Sequence, residues 1–182
     1  MLGDITETKD GAGNVYVPDW LIAYILGGID EVEKIDSYFG KYCFIAENEG
    51  GNFGALNKWA DNYSEVQDFP RLAAARIERR LISAAELYPD DEYGSFYETL
   101  VKKAFSAEYA GALIEDIYWI KIRRDHEYNE EVYDFFILIS IDRMFMRTII
   151  GNMMAETLAE VTPARAQFTA IRRLQQNFYT GF

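Results

Sequence analysis

The run Val132-Tyr133-Asp134-Phe135-Phe136-Ile137-Leu138-Ile139-Ser140-Ile141 decides the fold. Its odd positions, Tyr133, Phe135, Ile137, Ile139 and Ile141, are all apolar. Its even positions, Val132, Asp134, Phe136, Leu138 and Ser140, are apolar only in the middle. Side chains of a strand alternate between faces, so this pattern predicts a strand with one face fully buried and the other half covered. The odd face is expected to meet helices. The even face is expected to lie under the N-terminal arm, a terminal helix or another protein. Upstream, residues 112–123 carry Ile114, Ile117, Tyr118, Trp119, Ile120 and Ile122, and residues 124–130 are a charged turn. The two runs read as an antiparallel hairpin.

Farther out, Tyr42-Cys43-Phe44-Ile45 between Gly40 and Gly50-Gly51 signals another strand, over residues 41–47. Asn52 is a plausible N-cap. Leu56, Trp59, Ala60, Tyr63 and Val66 then fall at helical spacing until Pro70, where a missing amide and a steric clash predict a kink or a break. Ala73, Ala74, Ile77, Leu81, Ile82 and Ala85 mark the next helical face. Arg71, Arg76, Arg79 and Arg80 lie on the other side. Helices are expected over residues 96–107, capped by Ser95, over 142–160, and over 164–178 after Thr162-Pro163, with Gly181 as a stop. Residues 1–14 read as a flexible arm. Residues 15–182 read as a single domain, with 15–40 an extension and 41–182 its core. The extension holds a short helical piece at residues 20–26, between Pro18 and Gly27-Gly28. The predicted class is α+β, a small antiparallel sheet of about three strands with a long kinked helix and further helices packed on one face.

The chain has 182 residues, 49% of them hydrophobic, with 4 Pro, 13 Gly and 1 Cys, which excludes a disordered chain, a collagen and a disulfide scaffold. Lys plus Arg is 18 against 30 Asp plus Glu, a net charge of −12. Most of the excess lies in residues 1–70, where 13 acids face 4 bases. Such a chain is not expected to bind nucleic acid, whose phosphates call for a basic surface. No apolar run approaches the roughly 18–20 residues that cross a bilayer, and the start lacks the basic and apolar segments of an export signal.

Chemical motifs are sparse. The one histidine, His126, sits in the charged turn without partner ligands at metal-site spacing. Cys43 reads as a buried strand thiol. Asp90, Asp91, Glu92 and Glu98 resemble a calcium loop only loosely and fit helix-start acids better. The four arginines could hold phosphates or carboxylates, but balancing the protein's own acids is the better reading. Asn62-Tyr63-Ser64 is a glycosylation sequon, relevant only in a eukaryotic secretory setting. No nucleophile elbow or phosphate loop is present, and no catalytic residue, metal ligand or cofactor is assigned. Of the many aromatics, most are expected in the core. Phe136, Leu138 and Trp20 are the candidate partner surface.

The segments 41–47, Gly50-Gly51-Asn52-Phe53, Ala55-Leu56-Asn57-Lys58-Trp59-Ala60 and Ala73-Ala74-Ala75-Arg76-Ile77 resemble the strand–loop–helix opening of the LPP20 family of bacterial envelope lipoproteins. Val17-Pro18-Asp19-Trp20 is similar to the motif that often precedes that domain. The run 132–142 and the ending Asn177-Phe178-Tyr179-Thr180-Gly181-Phe182 resemble its last strand and close, in the spirochaete type. The resemblance implies a non-enzymatic domain of the periplasm or outer membrane, held by a lipid anchor and binding another envelope protein. It carries no catalytic residues. The signal peptide and lipidated cysteine of that family do not appear in these residues, so if the resemblance holds the chain is expected to be the mature part or a truncated piece. The alternative is a cytosolic interaction module or homodimer.

Overall fold

The computed structural model describes residues 4–11, 16–125, 130–180 and 182. It divides into two compact units, one of Met1–Glu65 with Gly111–Arg143 and one of Val66–Ala110 with Met144–Phe182. The fold is α+β, as expected, and the sheet is antiparallel.

The first unit holds strands β1 (Asp4–Thr8), β2 (Lys41–Gly50), β3 (Leu113–Asp125) and β4 (Glu130–Asp142), with helices α1 (Asp19–Gly27), α2 (Ile29–Val32) and α3 (Phe53–Asp61). The sheet order is β1-β3-β4-β2. The predicted hairpin is its centre, with Ile117 opposite Ile137 and Trp119 opposite Phe135. Four strands are present among the described residues where about three were expected. The additional one, β1, lies in the stretch read as a flexible arm. Its few side chains explain the misreading and also the pairing. Ile5 stands opposite Ile122 and Thr8 opposite Ile120, and a bulge between Ile5 and Glu7 keeps both on the same face. Thr8 is buried and Ile5 packs against the core.

Helices cover both faces of this sheet, correcting the expectation of one. On the odd face of β4, the Phe53 ring of α3 lies 5.1 Å from Trp119, 5.2 Å from Tyr133 and 5.5 Å from Phe135. On the even face, Trp20 and Leu21 of α1 and Val32 of α2 form one core with Cys43, Tyr118, Ile120, Ile122, Phe136 and Leu138. The half-apolar even face is thus covered from within the chain, by the extension before residue 41. Gly28 ends α1 at φ 78°, where its amide reaches Tyr24 O at 2.8 Å.

The second unit is helical: α4 (Phe69–Ala85), α5 (Phe96–Ser106), α6 (Arg143–Val161, whose first residue groups with the sheet) and α7 (Arg165–Thr180). The long kinked helix is in fact two, α3 and α4, separated by residues 62–68. Asn62 closes α3, and Pro70 sits in the first turn of α4, where its missing amide costs nothing. Ile77, Leu81, Phe96, Leu100, Ile150, Ile171, Leu174 and Phe178 are fully buried or nearly so. The side chains of Ser95 and Asp68 make no capping bond. At α7 the reciprocal cap comes from Gln167, whose Oε1 accepts from Ala164 N at 3.1 Å.

Candidate functional site

The three residues expected to form a partner surface are interior. Leu138 is 0% exposed, Trp20 5% and Phe136 7%. Trp20 also donates its Nε1–H to Asp116 Oδ2 at 3.0 Å. The alternating pattern of β4 was read correctly, but its cover is α1, so no partner is needed there.

What α1 leaves outside is the more informative surface. The helix, Asp-Trp-Leu-Ile-Ala-Tyr-Ile-Leu-Gly, has hardly a polar position after its first residue. A helix apolar around its whole circumference is normally enclosed on all sides. Here Trp20 and Leu21 are the buried residues. Ile22 and Leu26, one turn apart, are 43% and 80% exposed, and Phe39 is 85% exposed. Asp19, Asp30, Glu31 and Asp36 on this layer are exposed, and its lysine, Lys34, pairs with Glu31. The layer therefore carries exposed apolar side chains together with exposed acids.

The edge strand β2 is built differently at its two halves. Lys41 O accepts from Arg143 Nε at 3.1 Å, and Cys43 N donates to Glu33 Oε1 at 2.9 Å. Both backbone groups therefore point away from β4, and the unbroken register from Lys41 to Gly50 puts the outward groups on odd-numbered residues. Arg143 closes this half by bonding Glu33 Oε2 at 3.0 Å, with its guanidinium 5.0 Å from the Tyr42 ring centre. Glu33 is nearly enclosed, its side chain 8% exposed. Nearby, Lys41 Nζ lies 2.6 Å from Glu115 Oε1, which also accepts from the Ser140 hydroxyl. Burial pushes the Glu115 carboxyl up, but the Lys41 and Ser140 bonds outweigh it and hold it below the usual glutamate range.

Beyond Cys43 the strand runs past a cleft of about 430 Å³ lined by Glu47, Asn48, Glu49, Asp134, Phe135 and Phe136. Tyr24 of α1 bonds Glu47. Burial first, then Glu47, raises its phenol to about 12.

Several of the other chemical candidates have structural partners. Arg80 donates from Nε to Phe178 O at 3.0 Å and from its terminal nitrogen to Asn177 O, closing the end of α7. Arg76 lies over the Phe182 ring at 5.6 Å. Asp91 accepts from Arg173 Nε at 3.1 Å. Asn62 donates Nδ2 to Lys58 O at 2.7 Å. Cys43 is buried. His126 and Gly181 lie outside the described residues. Among the described residues no group of His, Cys, Asp and Glu is arranged to hold a metal ion, and no helix is long and apolar enough to cross a membrane.

Sequence reasoning missed the Ile22 and Leu26 face and the Glu33–Arg143 closure. The first had a signal, the unbroken apolar character of residues 20–26 beside acids. The second joins residues far apart in sequence and had none. No protein-family model, curated protein or solved structure matches the chain.

Proposed function

We propose that this chain is a non-catalytic, protein-binding domain of the LPP20 lipoprotein type, working at the bacterial cell envelope. The binding part is carried by one observation, the outward apolar face of α1 at Ile22 and Leu26. An anionic lipid surface fits it poorly, because the exposed acids of the same layer would be repelled. A second copy would bring the same acids together. The occupant that fits is another protein, with an apolar contact ringed by lysines or arginines. The envelope setting rests on the resemblance to the LPP20 lipoproteins.

Burying a large aliphatic side chain contributes roughly 1.5–3 kcal/mol. Ile22 and Leu26, already partly covered, together supply about 3 kcal/mol, or roughly a hundredfold in affinity. The test is an Ile22→Ser/Leu26→Ser double variant made in the native cell. Its folded-state spectra and melting should match the parent, while the complex seen by gentle extraction and native sizing disappears. The envelope part is read separately, from fractionation and the intact mass of the native protein. Recovery in the envelope fraction with added lipid mass supports it. Recovery in the cytosol without added mass removes it and leaves the cytosolic module. A parent that runs as monomer under all conditions, or as a dimer of itself, overturns the partner reading.

A further inference from the structure

The Ile45–Glu47 edge of β2 can be read independently of whether α1 is covered. An edge strand offers a row of outward amides and carbonyls that a second extended chain can pair with, unless the protein blocks them. In β2 such a block is built at the start, where Arg143 takes Lys41 O and Glu33 takes Cys43 N. The same outward orientation recurs at Ile45 and Glu47, since the register with β4 is unbroken. Glu47 and Asn48 are exposed.

We propose that the Ile45–Glu47 edge of β2 accepts an added strand from another protein, and that this strand alternates basic and apolar residues. The pattern follows from the neighbours it would meet. Glu47 lies on the face of Phe136, so the side chain placed beside it is a lysine or arginine. Phe44 and Ala46 lie on the face of Ile139 and Ile137, so the alternate side chains are apolar. The acids also choose between occupants. A second copy pairing antiparallel through this edge sets Glu47 against Glu47, or against Glu49 in the adjacent register, and like charges directly opposite one another oppose pairing. The cleft along Glu47 and Asn48 gives a long basic side chain room to reach the Glu47 carboxylate.

The probe is a capped synthetic peptide alternating valine and lysine, with a valine–glutamate peptide as its counterpart, titrated into the full chain while amide exchange is followed residue by residue. The lysine peptide should bind saturably and slow exchange at Ile45 and Glu47 at least tenfold. The glutamate peptide should bind at least tenfold more weakly. Glu47→Pro removes an outward amide and leaves the bonds to β4 intact, so it should abolish binding without altering tryptophan fluorescence. Glu47→Lys keeps the backbone and should exchange the preference of the two peptides. The proposal is overturned if the lysine peptide does not bind, or if Ile45 and Glu47 exchange slowly without it. It is equally overturned if Glu47→Pro, shown to be folded, binds as the parent does, because attraction to acids alone would then suffice. Self-association through these amides in sedimentation would assign the edge to a second copy instead.

Discussion

Replacing Leu138 by alanine distinguishes a core strand from a partner surface. Leu138 is fully enclosed, opposite Ile45 of β2 and Asp116 of β3 and beneath the α1–α2 layer. Truncation to a methyl leaves a cavity among Trp20, Leu21, Val32 and Phe136, which rigid strands cannot fill. Fully buried leucines lose roughly 2–5 kcal/mol on this change, and a site between a sheet and a short helix belongs near the middle, about 3 kcal/mol. With a urea slope of about 2 kcal/mol/M, the midpoint falls by about 1.5 M. The assay is selective, because Trp20, Trp59 and Trp119 all belong to the first unit. Their fluorescence follows that unit, and helical circular dichroism follows α4 to α7 in large part. The fluorescence transition should move by the full amount. A loss below about 0.5 kcal/mol, the range of ordinary surface positions, would refute the placement of α1 over β4.

Three further outcomes follow from individual contacts. Glu115 has its carboxyl held below the ordinary value of 4.5, so its ionised form favours the folded chain, and that contribution is complete above 4.5 and lost as the pH falls through the lower folded value. Glu115→Gln should therefore be less stable than the parent near pH 7, with the gap closing on acidification in urea titrations. Gly40 adopts φ 80° and a β-carbon there would meet no atom within 4 Å, so Gly40→Ala should cost about 1 kcal/mol from backbone conformation, and Gly40→Asn less. Arg80→Ala should release the carbonyls of Asn177 and Phe178, costing about 1–2 kcal/mol and speeding amide exchange in the last turn of α7.

The parts of the fold that were legible are those with strong periodicity. The β3–β4 hairpin, β2 and the last two helices carry it in their own residues, and the structure places them within a few positions of the reading. Strand β1 was not legible because Asp4–Thr8 has one large apolar residue, Ile5, and gains its pairing from β3. The break between α3 and α4 was signalled by Pro70, but whether the chain kinks or separates depends on what each helix packs against. Phe136, Leu138 and Trp20 were read as a surface for a partner, and the structure buries all three. What they meet is mutual, since Trp20 belongs to the layer that covers the other two. The sequence marked apolar positions; it did not mark which of two apolar surfaces would remain outside after folding. For α1 that surface is Ile22 and Leu26, set by how a nearly uniform apolar helix is rotated on the sheet.

The most direct measurement of the central claim places a photo-crosslinking residue at position 26 in the native cell, with position 83, on the exposed side of α4, as reference. One discrete adduct with a different protein is expected from position 26, lost when Ile22 is changed to Ser, and none from position 83. Reaction from position 26 with lipid or with a second copy of the chain, or equal reaction from both positions, would contradict it.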